Sequence, residues 1–220
     1  MLKFLLWFVV GTILWVVLYR FIDPPITYLM VERYFTVEDG HINKEWKDID
    51  EISEHLQLAV IAAEDQRYLE HWGFDMEAIE SAFESNEKGR RIRGGSTISQ
   101  QTAKNVFLWH GRTWLRKGLE AWFTLLIELV WGKERILEVY LNVLELGPGV
   151  YGAQAAANEF FGSSATELNK SQSALIAAVL PNPRKMSAAK PSAYVRGRQK
   201  WILRQMQNLE GLLNDQFSKD

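Results

Sequence analysis

An uninterrupted apolar stretch near the amino terminus constrains this chain more than any other feature. Residues 4–22, FLLWFVVGTILWVVLYRFI, contain a single charged side chain, Arg20, close to the end of the stretch. A helix of this length spans about 28 Å, close to the roughly 30 Å hydrocarbon core of a bilayer. A cleaved signal peptide is the alternative, but its apolar region is usually shorter and is followed by small residues. Because DPP follows at residues 23–25, we interpret residues 1–22 as a retained transmembrane anchor.

Length and composition limit the number of domains and the kinds of site that the rest of the chain can form. The 220 residues suit one domain, with room for two small lobes. A formal net charge of -2 gives no global attraction to nucleic acid. The chain has no cysteine, which excludes disulfides, thiolate metal sites and cysteine nucleophiles. The nine Trp and eleven Phe exceed what a core of this size needs, and a membrane interface would use the remainder.

Beyond the anchor, apolar spacing indicates helices and no competing strand pattern, so we predict an all-α fold. The predicted helices are 53–65, 113–131, 133–145, 152–161, 172–180 and 192–213. Thr113 and Ser171 are candidate N-caps, and LGPGVYG at 146–152 is a turn signal. The polar, glycine-containing stretch 84–95 is predicted to be a mobile loop. The organisation is therefore an anchor at 1–22, a linker with short extended pieces at 23–50, a domain at 51–213 and a tail at 214–220.

A pair of acids closes the first of these helices. Glu64 and Asp65 follow the apolar run IAA within AAEDQRYLEHWG, residues 62–73. An apolar approach raises the proton affinity of a carboxylate by desolvation, which suits a general base. The alternative is an acid that only ends a helix and has no chemical role.

A local excess of positive charge lies in the middle of the chain. Residues 88–117 contain eight Lys or Arg and no Asp or Glu. They form either a solvated face, which could contact anionic lipid headgroups, or a pocket for a phosphorylated ligand. Within them, RGGSTISQQTAK at 93–104 has two glycines and then Ser96 or Thr97 as an N-cap. The helix N-terminus that follows favours an anion, although capping alone also explains the pattern.

A further acid, Glu120, lies in the predicted helix 113–131. Arg116 and Lys117 precede it by four and three residues, so the three side chains share one helix face. One interpretation is a surface ion pair worth about 0.2–0.5 kcal/mol. The other is an acid flanked by two cations beside a very apolar helix surface, which suits a metal ion or a pyrophosphate.

Taken together, these segments resemble the motifs of the peptidoglycan glycosyltransferases of the penicillin-binding-protein type, most closely those of the monofunctional branch. The matching segments are EDQRYLEHWG (64–73), GGSTISQQ (94–101) followed by Lys104, RKGLE (116–120), KERILEVYLN (133–142) and LPNPRKMS (180–187). The departures are small. Tyr68 replaces a usual Phe, Ser99 a common Thr, and Ala188 a frequent Pro.

The resemblance implies a lysozyme-like, two-lobed domain with a head and a smaller, membrane-facing jaw. It implies an enzyme that polymerises lipid II into β-1,4 glycan strands, with inversion at the anomeric carbon and release of undecaprenyl pyrophosphate. Transpeptidase activity is not expected, because no KTG follows the SxxK-like residues 85–88. The implied location is the bacterial inner membrane, with a single pass and the domain on the periplasmic side. The implied partners are lipid II, the growing lipid-linked strand and the bilayer, with other wall-synthesis or division proteins as candidates.

The resemblance also implies roles for individual residues. Glu64 is the candidate general base, and Glu120 is the second candidate catalytic acid. The candidate substrate-binding residues are Asp65, Ser96, Thr97, Gln100, Gln101, Lys104, Arg112, Arg116 and Lys117; those expected to shape the site are Tyr68, His71, Gly73 and Asn182. No cofactor is required, but a divalent cation, Mg²⁺ or Mn²⁺, near the pyrophosphate is an open alternative, with Glu120 as its ligand. The four His have no metal-site spacing.

Two rival functions remain open from sequence. A lytic transglycosylase or lysozyme could share the fold, but its scissile bond is uncharged and leaves the cationic stretch without a purpose. A non-catalytic membrane scaffold is the second rival, and the intact Glu64 and Glu120 argue against it.

Overall fold

The computed structural model describes residues 2–36, 41–80, 95–109, 111 and 113–210. The helices are α1 (Leu2–Phe21), α2 (Tyr28–Thr36), α3 (Glu54–Glu64), α4 (Ile98–Phe107), α5 (Trp114–Val130), α6 (Gly132–Val143), α7 (Gly152–Phe161), α8 (Lys170–Val179) and α9 (Ala193–Asn208). A 3₁₀ turn at Ile49–Glu51 precedes α3, and residues 76–80 are also helical. The predicted helical fold is confirmed. Apart from Gly95, the predicted loop 84–95 lies outside the described residues.

The helices of the domain pack in two groups. In the first group, α3, α8 and α9 pack against one another, and in the second, α4 lies against α5 and α6. The core residues of the first group include Leu56, Ile176 and Ile202, all essentially inaccessible to solvent. Two lobes follow from this arrangement, and the end of α3 meets the beginning of α4 where they join.

The stretch 23–50, which we predicted to be a linker with short extended pieces, also contains a helix. It contains α2, whose N–H of Met30 donates to the hydroxyl of Thr27 at 3.4 Å and whose Leu29 and Met30 are buried. The ammonium group of Lys44 donates to the carbonyl of Pro24 at 2.6 Å. In addition, α2 contacts α4, and the N–H of Lys47 donates to the Oδ1 of Asn142 on α6 at 2.9 Å, so the segment after the anchor packs on the domain.

A small sheet accompanies the helices. The predicted turn at 146–152 is a hairpin in which β2 (Glu145–Gly147) pairs antiparallel with β3 (Val150–Tyr151). The strand β1 (Asn43–Lys44) pairs parallel with β3, and Asn43 lies opposite Val150. Parallel pairing joins segments that are distant in the chain, and here it holds the stretch before α3 against the hairpin.

The predicted helix ends are mostly confirmed. The hydroxyl of Thr113 accepts the N–H of Arg116 at 3.2 Å, as an N-cap does. The predicted Ser171 cap is wrong, because Asn169 caps α8 and forms a capping box with Gln172. Ser171 instead lies inside the first turn. The last helix, predicted to span 192–213, ends earlier, at Asn208, where Leu209 is the C-cap. Residues 211–220 lie outside the described part.

The apolar helix α1 is long and hydrophobic enough to cross a membrane, with a mean hydropathy of 2.0 over the candidate span and only 11% of that span buried. A soluble core helix would be mostly buried, so this exposure fits a membrane anchor. One stripe of α1 packs on α5: the indole N–H of Trp122 donates to Thr12 at 3.2 Å, and that of Trp131 to the Val16 carbonyl at 2.7 Å. The anchor is therefore docked against the second helix group.

Candidate active site

The carboxylate of Glu64, the last residue of α3, lies at the junction of the two helix groups. Its Oε2 accepts a hydrogen bond from the Nε2 of Gln101 on α4 at 2.9 Å. Burial raises the pKa of the Glu64 carboxyl, and the charge of Asp65 adds to this; the bond from Gln101 and the charges of Arg198 and Lys104 oppose it. The residue itself remains partly exposed. Glu64 is therefore accessible from outside the protein and has an increased proton affinity, and a general base requires both.

The neighbouring acid, Asp65, is buried and has protein partners on both oxygens. Its Oδ1 lies 2.9 Å from the Nε2 of His71, and its Oδ2 accepts the N–H of Ile98 at 3.0 Å. The sequence predicted that the N-terminus of α4 would favour a ligand's anion. This helix terminus instead holds the protein's own carboxylate, which the partial positive charge of the terminus stabilises. Asp65 and His71 thus fix the loop after Glu64. The sequence predicted that Asp65 binds substrate, and with both of its oxygens engaged that role stays a prediction.

The residues of the GGST segment start α4. The hydroxyl of Thr97 accepts the N–H of Gln100 at 3.2 Å, and the side chain of Gln100 accepts the N–H of Thr97 at 3.0 Å. The same hydroxyl donates to the carbonyl of Gly73 at 2.7 Å. Thr97 and Gln100 are buried and engaged in this capping box, so the geometry gives them a structural part. Ser96 is exposed and remains a candidate for substrate contact.

Gly73 is at a position where no side chain fits. Its φ is +75°, and a Cβ built there would lie 2.6 Å from the Cγ2 of Thr124 on α5. The loop that follows Glu64 can therefore approach α5 only through a glycine.

Lys104 links the two ends of the site. It lies on α4 one helical turn after Gln101, and burial lowers the pKa of its ammonium group, while Glu120 opposes that shift. Arg116 and Lys117 lower the same pKa further, and Glu64 raises it. Lys104 is thus within electrostatic reach of Glu64 on one side and of the α5 cluster on the other.

On α5 the acid Glu120 is buried between two cations. Its Oε2 accepts a hydrogen bond from Arg116 at 2.7 Å, and its Oε1 accepts one from Lys117. The surface ion pair considered from sequence is wrong, because only 4% of the Glu120 side chain is exposed. Lys117, by contrast, is 46% exposed. With Lys104 nearby, three cations surround one carboxylate, so a net positive charge remains for an anionic ligand.

The donor set around Glu120 does not fit a protein-bound divalent ion. Both of its oxygens already bind cations, and within the described residues Glu120 belongs to no group of three or more acidic or imidazole side chains. The group that is close enough to hold an ion is Asp65, His71 and Asp75, whose ligand atoms lie within 4.8 Å of one another. Protein partners already satisfy its two carboxylates, because Asp75 accepts the N–H of Ala78 at 2.9 Å.

The remaining predicted site residues are Arg112 and Asn182. Arg112 lies outside the described residues. Asn182 forms the turn after α8: its N–H donates to the Val179 carbonyl at 3.0 Å, and its carbonyl accepts the N–H groups of Lys185 and Met186. A role for Asn182 in shaping the site stays a prediction.

Sequence reasoning missed three residues around the site. Tyr140 donates to the Oε1 of Gln101 at 3.1 Å, and Arg198 faces Glu64 from α9. Glu128 is buried and accepts the hydroxyl of Ser99 at 2.5 Å and the ammonium of Lys133 at 2.7 Å. A lone acid inside the apolar run LLIELVW was a usable signal for Glu128. Tyr140 lies in the matched segment KERILEVYLN, but its contact with Gln101 was not predictable, because the two residues are 39 apart in the chain. Arg198 had no local signal.

Tyr68, which the sequence predicted to shape the site, is held at the start of α6. Its ring is fully buried, with the ammonium of Lys133 4.7 Å from the ring centroid. Its hydroxyl donates to the Lys133 carbonyl at 2.6 Å. The loop after Glu64 is thereby fixed to the start of α6.

Comparison with known proteins agrees with this geometry. The family model described as "Transglycosylase" matches residues 32–207. A biosynthetic peptidoglycan transglycosylase of Pseudomonas fluorescens is 57% identical over 213 residues, which cover 95% of this chain and 89% of the relative. Proteins of the same description from Pseudomonas putida and Stutzerimonas stutzeri are 56% and 54% identical, over 94% and 95% of this chain and 89% and 88% of those relatives. The chain therefore belongs to the transglycosylase family, as its motifs predicted.

Proposed function

We propose that this protein is a membrane-anchored peptidoglycan glycosyltransferase that polymerises lipid II into β-1,4 glycan strands, with inversion and release of undecaprenyl pyrophosphate. One observation carries the proposal. Lys104 interacts electrostatically both with Glu64, a carboxylate of raised proton affinity, and with Glu120 and the cations around it. A hydroxyl acceptor that must lose a proton and a leaving group that carries negative charge need these two environments side by side.

In this reaction Glu64 acts as the general base. The 4-hydroxyl of the incoming lipid II loses its proton to Glu64 while its oxygen attacks the anomeric carbon of the growing strand. The bond from that carbon to the pyrophosphate breaks, and its electron pair leaves with the undecaprenyl pyrophosphate. Attack from the face opposite the leaving group inverts the carbon, as in inverting glycosidases run toward synthesis.

The cations hold the pyrophosphate. Lys104, Arg116 and Lys117 stabilise the charge that grows on the leaving group, and Arg112 is proposed to join them. Glu120 fixes Arg116 and Lys117 through its two oxygens. It need not protonate the leaving group, because pyrophosphate is a stable anion. Gln101 and the exposed Ser96 complete the substrate contacts.

The membrane supplies the location of the site. We assign residues 1–22 to a single-pass anchor in the bacterial inner membrane, with the domain at 51–213 on the periplasmic side. The exposed Trp114 and Leu115 at the start of α5 suit contact with lipid. Because the substrate keeps its lipid tail in the bilayer, an enzyme held at the membrane surface meets it there. Other wall-synthesis or division proteins are candidate partners at the same surface.

A lytic enzyme is the main alternative in chemistry. It would cut a glycosidic bond between two uncharged sugars and would have no use for three cations around Glu120. The relatives described above are named biosynthetic, which favours synthesis for this chain as well.

Polymerisation of dansyl-labelled lipid II by the full chain in detergent tests the proposal. The wild type should form glycan strands, and Glu64→Gln should form none while retaining the same fold and lipid II binding. Strands from both proteins would refute Glu64 as the base. Shortening of preformed strands by the wild type, without polymerisation, would instead establish the lytic reaction.

A further inference from the structure

A buried tyrosine reaches the proposed base through one side chain. Tyr140, on α6, is 1% exposed, and its hydroxyl donates to the Oε1 of Gln101 at 3.1 Å. The Nε2 of the same Gln101 donates to the Oε2 of Glu64 at 2.9 Å. The three side chains come from α6, α4 and α3, so the chain of hydrogen bonds connects three helices at the junction of the lobes.

The direction of each hydrogen bond follows from what each group can donate and accept. A glutamine amide presents an oxygen on one side and two N–H donors on the other. A buried tyrosine hydroxyl left without an acceptor is destabilising, because it loses its hydrogen bond to water and gains none. Donation from Tyr140 therefore fixes the oxygen of Gln101 toward α6 and its N–H donors toward Glu64. A rotated amide would present its oxygen to Glu64 and would favour the protonated carboxyl.

We propose that Tyr140 is a positioning residue for the reaction, which acts through Gln101 to keep the carboxylate of Glu64 ionised and aimed at the acceptor hydroxyl. The inference rests on the proposed function, because it takes Glu64 as the general base. It gives Tyr140 a role that packing alone would not require.

Tyr140 also stays a donor across the working pH range. Burial raises the pKa of its phenol well above the usual value, and the negative charges of Glu64 and Asp65 add to the effect. The hydrogen bond from Gln101 in turn lowers the pKa of Glu64 against the larger effect of burial. Loss of this bond should therefore raise the pKa of Glu64 further.

The pH profile of kcat/KM for dansyl-labelled lipid II, measured on the full chain, tests the inference. In Tyr140→Phe the acid limb should move to higher pH, with kcat at neutral pH reduced about tenfold and KM little changed. Gln101→Leu should move the limb in the same direction, and the double variant should move it no further than Gln101→Leu alone. Non-additivity is expected because both changes remove the same connection.

Tyr68→Phe is the matched control. Tyr68 is also fully buried and donates one hydrogen bond, but to the Lys133 carbonyl rather than toward the base. Its loss should reduce stability and leave the acid limb in place. An equal limb shift in Tyr68→Phe would overturn the inference, since any buried hydroxyl would then serve.

The remaining outcomes separate the inference from the proposed function. If Glu64→Gln is inactive and folded Tyr140→Phe keeps the wild-type limb, the positioning role alone is overturned. If Glu64→Gln retains activity, the base assignment fails and the inference fails with it. If Tyr140→Phe does not fold, Gln101→Leu tests the inference instead. An unshifted acid limb in Gln101→Leu would overturn it, because Tyr140 is proposed to act on Glu64 through Gln101.

Discussion

Asp65 and Ile98 join the two helix groups by one hydrogen bond: the N–H at the start of α4 donates to the carboxylate that directly follows Glu64, at 3.0 Å. The second oxygen of Asp65 lies 2.9 Å from the Nε2 of His71. The position of the proposed base relative to α4 therefore depends on its neighbour in sequence.

Asp65→Ala should destabilise the protein strongly. It removes both contacts and leaves the buried N–H of Ile98 without a partner, which should cost about 2–4 kcal/mol of the free energy of unfolding. Chemical denaturation of the full chain in detergent measures the cost. Asp65→Asn should lose less, because its side-chain oxygen still accepts one bond. Glu70→Ala, which removes an exposed ion pair with Arg67, should change stability by less than about 1 kcal/mol. Equal effects of Asp65→Ala and Glu70→Ala would contradict the role of Asp65.

Glu64→Gln should make the folded state more stable at neutral pH while it abolishes activity. Burial raises the folded-state pKa of Glu64 above its unfolded value, so folding favours the protonated carboxyl. The protonated Glu64 therefore adds to the stability of the wild type below the unfolded-state pKa, and this stability is lost as the pH rises through the folded-state pKa. Glutamine stays neutral at every pH. The variant should therefore exceed the wild type in stability most above the folded-state pKa, and the difference should vanish near pH 4.

Thermal midpoints of both proteins between pH 4 and pH 8 measure this difference. Glu167→Gln is a control of opposite sign. Hydrogen bonds from Ser164 lower the pKa of the exposed Glu167 carboxyl, so its neutralisation should reduce stability at neutral pH rather than increase it. A Glu64→Gln protein less stable than wild type at pH 8 would show that burial does not penalise the Glu64 charge.

The sequence predicted those parts of the site that local chemistry determines. The end of α3 at Glu64 and the caps at Thr97 and Thr113 follow from apolar spacing and from polar residues just before a helix. The predicted cap Ser171 was wrong because Asn169, two residues earlier, has Gln172 three residues after it and forms a capping box with it.

The parts that could not be predicted depend on contacts between distant segments. Tyr140 and Gln101 are 39 residues apart in sequence, and no periodicity connects them. The helix α2 was missed because only its packing buries Leu29 and Met30. The burial of Glu120 likewise follows from the packing of α4 on α5, whereas its i, i+4 spacing to Arg116 fits a surface ion pair equally well.

Gly73→Ala should disrupt the loop after Glu64. Its left-handed backbone and a Cβ only 2.6 Å from the Cγ2 of Thr124 should together cost about 2–4 kcal/mol. Gly197→Ala is the control, because Gly197 lies within α9 and a Cβ there meets nothing within 4 Å. That substitution should stabilise the protein by up to about 1 kcal/mol through helix propensity. Denaturant unfolding measures the free energy of unfolding of both variants. If Gly73→Ala is as stable as the wild type, the loop adjusts to the added Cβ without cost.

Lys117→Gln should weaken product binding with little effect on folding. The side chain is 46% exposed, so its ammonium group can reach a ligand as well as Glu120. Loss of one charge-assisted contact should raise the Kd for undecaprenyl pyrophosphate about tenfold, or about 1.4 kcal/mol.

Arg116→Gln should lower stability in addition to weakening product binding. Only 10% of the Arg116 side chain is exposed, and its loss removes one of the two cations that are hydrogen-bonded to the buried Glu120. Competition by the product in the lipid II assay measures the product affinity of each variant, and thermal midpoints measure its stability. If Lys117→Gln binds the product as tightly as the wild type does, Lys117 does not belong to the pyrophosphate site.

The packing of α1 on α5 should persist in a membrane and can be tested by cross-linking, since the chain has no cysteine of its own. Thr12 and Trp122 are in hydrogen-bond contact at 3.2 Å, so Thr12→Cys with Trp122→Cys should react with a short bismaleimide in vesicles. Leu14→Cys with Trp122→Cys should not, because residues two apart on a helix face different directions and Leu14 is 62% exposed. Cross-linking of both pairs would mean that the anchor rotates freely beside the domain. Selective cross-linking of the first pair would mean that the docked anchor fixes the depth of α5, and with it the cations around Glu120, relative to the bilayer.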